Sequence, residues 1–436
     1  FLDKLREIKI LDPACGTGNF LYVSLDLMKG LEQEVLKRLE DVAGTVQLEI
    51  KQINPSQFLG IEINPRAAAI AELVIWIGYL QWYFKRFGNA EPPEPVLQAF
   101  GNIECRDAVL AYDGKVPDVD EKTGEVRTRW GGRMMTHPVT GEEVPDPESQ
   151  VVIYQYLNAR AAEWPEADYV VSNPPFIGNF KMRELLGDGY AESLRMVYSR
   201  LIPETADFVM FWWHKVATAV RELKLTKFGL ITTNSIRQIH QRKVIEYHLR
   251  QKQPIRIPFA IPDHPWVDQG AGVRIAMTTG EMDTNQTLPR SAVLGTVNRE
   301  VEGVSPEDSA DAIVVSFEAV DRIFSNLEAG TDLTSTIKLR SNSLLAGPGV
   351  KLHGSGFLVE SQELKSWNKD SISNVVKTYV NGKDLAQHDR RISVIDFFGL
   401  SLSESQRYKE PFNKILEEVK PERDVNKRKS RKRNGF

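Results

Sequence analysis

Asn173-Pro174-Pro175-Phe176 is the stretch whose residue types and order most clearly imply chemistry. Each proline fixes φ and removes an amide donor, so two in succession make a rigid loop. The Asn side-chain oxygen and a carbonyl of the proline region are then held as acceptors, which suits a planar amino group. The ring of Phe176 adds a π-face beside them. Such a set fits an exocyclic amine on an aromatic base, oriented so that its nitrogen lone pair meets an electrophile. A Pro-Pro turn over a buried Phe is the plainer alternative, and the company the motif keeps weighs against it.

That company lies upstream. Asp12-Pro13-Ala14-Cys15-Gly16-Thr17-Gly18-Asn19-Phe20 puts two glycines just past a strand, where missing side chains let backbone amides approach a ligand at a helix N-terminus. A dinucleotide fingerprint would need a third Gly where Leu21 stands, and no Gly-Lys-Ser/Thr phosphate loop is present, so hydride transfer with NAD and ATP hydrolysis are disfavoured. Glu62 ends a second strand and Asp107 follows a third, which sets two carboxylates in order along one sheet edge. Glu62 there suits ribose hydroxyls and Asp107 an adenine amino group, a set that describes a nucleoside cofactor.

The elements that must position these groups alternate. Ile8–Leu11 reads as a short buried strand followed by a helix to about Glu40, Phe58–Ile63 as a strand before a helix opened by Pro65, and Ile103–Cys105 as a third strand. Tyr169–Val171 leads into the Asn-Pro-Pro-Phe loop, and Phe228–Thr232 is a further strand. This order predicts an α/β, doubly wound, mostly parallel sheet covered on both faces. Residues 112–150, rich in Gly, Pro and charge, read as an insertion; its Arg127, Arg129, Trp130 and Arg133 either reach over a ligand groove or form a solvated excursion. Ile255–Ile261 and Gly272–Met277 are expected to finish the sheet as an antiparallel hairpin edge, with Trp266 in the loop between them. That Trp either lines a base pocket or packs. The pattern turns irregular from Gln286, and Ser341–Gly356 reads as linker. The expected domains are 1–300, the α/β core, and 301–436, a linker with the start of a recognition region.

With 436 residues, 42% apolar and 26% charged, the chain has ordinary globular composition and room for two or three domains. Cys15 and Cys105 are too few for a disulfide framework or a four-ligand zinc site, which points to a reducing compartment and no metal. The longest apolar run, Ala67–Phe84, is broken by Glu72 and Gln81 and reads as a buried helix, not a membrane span. The net charge of −4 hides a local +6 over Lys420–Arg433, which leaves −10 elsewhere. A nucleic acid would therefore be held by local patches. Arg237, Arg242, Lys243, Arg250, Lys252 and Arg256 form one such stretch and Lys427–Arg433 another, each with a solvated charged face as its alternative. The first residue is Phe1, not Met, a few positions ahead of the glycine motif, so the chain reads as a piece of a longer protein.

Asp12–Phe20, Gly60-Ile61-Glu62-Ile63-Asn64-Pro65 and Asn173–Phe176 together resemble the first, second and fourth motifs of amino-group DNA methyltransferases. More narrowly, they are similar to the adenine-N6 enzymes of type IIG and MmeI-like type IIL restriction-modification systems and to methyltransferases of BREX and DISARM phage defence. The resemblance spans about residues 1–280 and continues loosely through Tyr379–Asp384, Ile395–Phe397 and Val419–Arg423. It implies a class I, Rossmann-like, seven-stranded fold that uses S-adenosylmethionine. Asp12 or the Gly16/Gly18 backbone would then contact the methionine part, Glu62 the ribose and Asp107 the adenine, with Ala14 and Ile63 also at the cofactor. Asn173, Pro174, Pro175 and Phe176 would hold an adenine flipped out of double-stranded DNA for direct methyl transfer. Asp207-Phe208 and Thr233-Asn234-Ser235 fall where later motifs lie.

The resemblance further implies a cytoplasmic, nucleoid-associated protein with other restriction or defence subunits as partners. No Pro-Asp followed at suitable spacing by Asp/Glu-x-Lys occurs, so cleavage is not expected of these residues. Two alternatives stay open. One is an RNA methyltransferase acting on a guanine amino group, since Asn-Pro-Pro-aromatic also occurs there and in protein-glutamine methyltransferases. The other is a DNA-binding, cofactor-sensing subunit of a larger defence complex.

Overall fold

The computed structural model describes residues 1–43, 52–88, 101–136, 141, 143–268, 271–284, 291–299 and 313–331, and separate stretches between 336 and 421. The chain divides into two compact units, Phe1–Thr336 and Ile337–Phe436.

In the first unit, α1 (Leu2–Glu7) precedes β1 (Ile10–Asp12), α2 (Asn19–Ala43), β2 (Phe58–Glu62), α3 (Pro65–Phe87) and β3 (Ile103–Cys105). β1 pairs in parallel with β2, and β2 with β3. Two glycines let the β1–α2 loop lie close to its neighbours. Gly18 has φ +86°, and a Cβ there would stand 3.1 Å from the Ala71 Cα of α3, while a Cβ at Gly60 would stand 2.8 Å from the Cys15 Sγ. Asn64 caps α3, its Oδ1 accepting from the N–H groups of Arg66 and Ala67, and Pro65 starts the helix.

A hairpin arm follows, made of β4 (Leu110–Ala111), β5 (Gly114–Pro117), β6 (Thr128–Trp130), β7 (Met134–Thr136), β8 (Glu143–Pro145), β9 (Gln150–Val152), β10 (Tyr154–Leu157) and β11 (Arg160–Ala161). The ladders β4/β11, β5/β10, β6/β9 and β7/β8 are nested, so the chain runs outward and straight back. The excursion extends beyond the expected 112–150, because its return strand carries Tyr154–Leu157 and Arg160–Ala161. Its arginines are neutralised locally: Arg127 pairs with Asp118 and Asp120, Arg129 with Asp188, and Arg133 with Asp146.

β12 (Tyr169–Ser172) then returns to the other side of β1 and pairs with it in parallel, Leu11 opposite Val170. After α4 (Met182–Leu186), α5 (Asp188–Val197) and α6 (Val209–Arg221) comes β13 (Lys227–Thr233), parallel to β12. α7 (Ile239–Leu249), β14 (Ile255–Arg256), β15 (Phe259–Asp268), β16 (Ala271–Met282), β17 (Ala292–Arg299) and β18 (Val314–Val320) complete the unit. Among the described residues the main sheet has ten strands, ordered β18-β17-β15-β16-β13-β12-β1-β2-β3 with β14 on β16.

The expected class I sheet of seven strands is there, as β3-β2-β1-β12-β13-β16-β15, and among the described residues β14, β17 and β18 extend it. The β15/β16 hairpin is not an edge, since β17 adds in parallel to β15 and β18 antiparallel to β17. Trp266 lies within β15 opposite Val273, because a register shift between Ile261 and His264 absorbs the Pro262-Asp263 step instead of ending the strand.

Both faces of the parallel strands are buried, as the alternation of adjacent residues shows. Ile10 and Phe58 join a core with Leu21, Leu25 and Ile75 of α2 and α3, whereas Leu11, Ile61 and Val170 join the larger core with Phe211, Trp212 and Trp213 of α6. α3 is long and apolar enough to cross a membrane by length and composition. It buries Ala71, Ile75, Tyr79 and Tyr83 and leaves Ile70, Leu73, Ile77 and Phe84 exposed, so it is half-buried, where full burial was expected.

The second unit holds a three-stranded sheet of β19 (Leu358–Val359), β20 (Val376–Tyr379) and β21 (Ile392–Ile395), ordered β19-β21-β20, over a core that includes Phe357, Phe397, Phe412 and Ile415. Most of Ser341–Gly356, and Glu422–Phe436 with the basic tail, lie outside the described residues.

Candidate active site

The chain reverses direction across the sheet at β1, with β2 on one side and β12 on the other, and ligands of open α/β sheets bind at such a switch point beyond the strand C-termini. A cavity of about 560 Å³ opens there. Ala14, Glu62, Ile63, Asp107, Asn173 and Pro175 line it, so six of the residues singled out from the sequence meet in one place.

The others support it or turn away. Asp12 is buried at the seam, its Oδ1 accepting the Ser172 hydroxyl at 2.5 Å and the Ala14 N–H at 3.0 Å. Burial pushes its carboxyl up to about 7; those hydrogen bonds oppose the rise and the charge of Glu62 adds to it. A buried acid poised near neutrality is driven to its ionised form by any cation placed beside it. Gly16 donates its N–H to Glu62 Oε2 at 2.9 Å, and the Asn64 N–H reaches Oε1 at 2.8 Å. The Glu62 carboxylate is thereby aimed, while each oxygen keeps acceptor capacity for a hydroxyl. Gly18 gives the loop its close approach to α3 and does not line the cavity.

Asp107 begins the arm: its Oδ1 accepts the N–H groups of Val109 and Leu110 at 2.7 and 3.0 Å. Its Oδ2 accepts the hydroxyl of Tyr190, on α5, at 2.7 Å, and burial beside this carboxylate pushes the Tyr190 phenol well above its ordinary range. Trp212 of α6 donates its Nε1–H to the Pro13 carbonyl at 3.1 Å and so pins the glycine loop.

Asn173 carries the feature with the clearest chemical meaning. Its Oδ1 is buried with no hydrogen-bond partner among the described residues, a state that costs about 1–3 kcal/mol for a polar atom. Pro174 is buried and Pro175 exposed. Phe176 is half-buried against the larger core and is not among the residues lining the cavity. Behind this loop stands Asp207. It accepts the Asn179 N–H at 2.9 Å through Oδ1 and the Ser235 hydroxyl at 2.9 Å through Oδ2, and Ser235 in turn contacts Thr233 Oγ1 at 2.6 Å. One carboxylate thus joins the later pair of motif-like segments to the turn that follows the Asn-Pro-Pro-Phe loop.

Residues 1–286 match the family described as the DNA-methyltransferase domain of MmeI. The chain belongs to this MmeI DNA-methyltransferase family. Its fold is the class I S-adenosylmethionine-dependent methyltransferase fold, similar to that of the type IIL restriction-modification enzyme MmeI in complex with DNA, with a TM-score of 0.55 and 21% identity over 99% of this chain and 50% of that one. DNA methyltransferase A of Bacillus subtilis (strain 168) is 25% identical over 290 residues, which cover 65% of this chain and 27% of that protein. The chain spans half or less of the length of these relatives.

In this MmeI-family chain the expected DNA-contacting residues separate. Arg237 is engaged near the surface, donating to the Asn326 carbonyl at 3.2 Å and pairing with Glu328 at 2.8 Å. Arg250 pairs with Glu246 and Arg256 with Glu281. Arg242, half-buried, and Lys243, exposed, lie one turn into α7, and neither makes an ion pair among the described residues. Sequence reasoning missed Trp212, Tyr190, Tyr112 and Tyr156, all four at the cavity. Aromatic residues in helices and hairpins carry no local mark of such a position.

Proposed function

We propose that this chain transfers a methyl group from S-adenosylmethionine to the N6 amino group of adenine in double-stranded DNA, as the modification activity of a restriction-modification or phage-defence system in the bacterial or archaeal cytoplasm. The observation that carries the reading is the unpartnered, buried Oδ1 of Asn173 on the lip of a cavity flanked by two oriented carboxylates.

The residues fit the cofactor. Glu62 offers acceptors for a vicinal diol, Asp107 Oδ2 an acceptor at the far end, and Asp12 a buried acid that a cationic centre would hold ionised. S-adenosylmethionine, when bound, supplies a methyl group on a positively charged sulfur.

The chain's own residues do the rest. Asn173 Oδ1 accepts one amino N–H of the target base, and a carbonyl of the rigid Pro174-Pro175 turn accepts the other, which turns the nitrogen lone pair out of the ring and toward the cavity. Phe176 and the loop backbone confine the base. Asp207 keeps that loop in register with Thr233–Ser235. Extruding the base costs a few kcal/mol, offset by the pairing of an acceptor otherwise left bare.

The test is transfer of labelled methyl to mixed-sequence duplex DNA with nucleoside analysis, with Asn173→Ala as control. Label on adenine N6 that disappears in the variant supports the assignment. Label on RNA or protein instead of DNA overturns the substrate. DNA binding without transfer anywhere would leave the cofactor-sensing role in its place.

A further inference from the structure

Five aromatic rings run in series from the hairpin arm to the floor of the glycine loop. Tyr112 meets Tyr156 edge to face at 4.7 Å, Tyr156 meets Tyr190 at 5.7 Å, Tyr190 meets Phe208 at 6.2 Å, and Phe208 meets Trp212 at 4.8 Å. Tyr112 and Tyr156 come from the arm, yet both line the cavity that Asp107 and Asn173 line. Tyr112 is 39% exposed, so a good part of its side chain is open to contact.

The arm is latched in this position. Arg129 pairs with Asp188 at 2.8 Å and donates to the carbonyls of Arg183 and Glu184 at 3.3 Å, which grips the turn between α4 and α5. Gly189 lets the strand lie directly on α5, because a Cβ there would stand 1.6 Å from the Tyr154 carbonyl oxygen. Three tyrosines beside a carboxylate with acceptor capacity left make a partly apolar wall with one hydrogen-bonding edge. That combination matches a planar heteroaromatic ring bearing an exocyclic amine.

We infer that the hairpin arm supplies a wall of the cofactor site, Tyr112 and Tyr156 covering the adenine ring whose amino edge meets Asp107. The inference rests on the reading that this cavity takes S-adenosylmethionine. It makes the arm, anchored through Arg129, a determinant of nucleoside affinity.

Calorimetric titration of the full chain with S-adenosylhomocysteine tests it. Tyr156→Ala and Tyr112→Ala should each raise Kd about tenfold, as expected for loss of ring stacking. Tyr156→Phe, which keeps the ring, should restore binding to within about twofold, and Arg129→Ala should weaken binding several-fold by freeing the arm. In turnover, the tyrosine variants should raise KM for S-adenosylmethionine while kcat at saturation and Kd for DNA stay near wild type. Tyr112 is the more exposed ring, so Tyr112→Ala decides the matter if Tyr156→Ala fails to fold. Wild-type affinity in the folded alanine variants would overturn the arm's role and leave the cavity as the cofactor site. Failure of the wild type itself to bind would overturn the cofactor reading and this inference with it.

Discussion

Asp207 and Asn179 are joined by a 2.9 Å hydrogen bond from the Asn179 N–H to Asp207 Oδ1, and this contact holds the turn that follows the Asn173–Phe176 loop. The other oxygen of Asp207 takes the Ser235 hydroxyl, so removing the side chain frees both partners together. Asp207→Ala should lower kcat by about ten- to a hundredfold, the scale of losses that follow a misplacement of about 1 Å. S-adenosylhomocysteine affinity should hardly change. Asp207→Asn keeps an acceptor for Asn179 and should recover most of the rate. Steady-state kinetics beside a binding titration checks this, and a fully active alanine variant would remove Asp207 from the positioning of the loop.

Asp12 should make cofactor affinity depend on pH. Its carboxyl is raised to about 7 by burial, so in the free protein it is partly protonated near neutrality. A sulfonium beside it favours the ionised form, and affinity for S-adenosylmethionine should tighten as pH rises from about 6 to about 8. S-adenosylhomocysteine, with a neutral sulfur, should show a shallower slope, and Asp12→Asn should flatten both. Parallel slopes for the two ligands would place the cation away from Asp12. The folding contribution has the opposite trend. A raised folded pKa stabilises fully below the ordinary carboxylate value of 3.8 and loses that stabilisation as pH climbs through about 7.

Much of this site was legible because its groups follow strand ends in sequence. Gly16, Gly18, Glu62 and Asn173 all stand at or within a few residues of the ends of short apolar strands, and parallel pairing brings such ends to one edge. Contacts made across long separations were not legible. Tyr190 reaches Asp107 over 83 residues and Trp212 reaches Pro13 over 199. Arg237 looked free because its counter-ion, Glu328, lies 91 residues on. β17 and β18 escaped for a different reason. β18 exposes Val314 and Phe317 and buries little, so its composition lacks the alternation that marks a half-buried strand.

A buried ion cluster beneath α2 and α3 should govern stability. Glu32 accepts from Arg6 at 3.3 Å, from Lys29 at 3.2 Å and from the Ile53 N–H at 3.3 Å, and Lys29 also lies 3.7 Å over the Trp82 ring. Burial lowers the Lys29 ammonium to about 8 despite the attraction of Glu32. Glu32→Gln would leave two buried cations without their shared carboxylate and should cost about 3–5 kcal/mol in urea unfolding. Lys29→Met, which removes a buried charge and keeps a similar volume, should cost much less. Equal losses from the two substitutions would contradict this account.

His214 and His248 should make the protein acid-sensitive. Their ring nitrogens lie 3.0 Å apart in the core beside α6, and burial holds both imidazoles below the ordinary value of 6.5, His214 at about 4, with Lys215 and Arg221 adding positive charge nearby. The unfolded chain takes up protons at these groups first, so stability is full above pH 6.5 and declines as pH falls toward 4. Asp12 works against this decline, which is why the histidines must be isolated by substitution. Thermal melts between pH 7 and pH 4.5 should show a steep fall in Tm for wild type and a shallower one for His248→Phe. Parallel curves would mean that the pair stays protonated or solvated in the fold.

The basic residues near α7 should divide by what each already touches. Arg237 is bound to Glu328 and Asn326, whereas Arg242 and Lys243 have no such ion pair among the described residues. A cation engaged by a carboxylate releases few counterions from DNA, and an unengaged one releases about one. Lys243→Ala and Arg242→Ala should therefore each weaken duplex binding and reduce the slope of log Kd against log salt by about 1. Arg237→Ala should change that slope little and lower Tm instead, because it breaks the link between the turn after β13 and residues 326–328. A full unit of slope lost at Arg237, with none lost at Lys243, would show that the ion pair to Glu328 opens when DNA binds and that the exposed face of α7 points away from it.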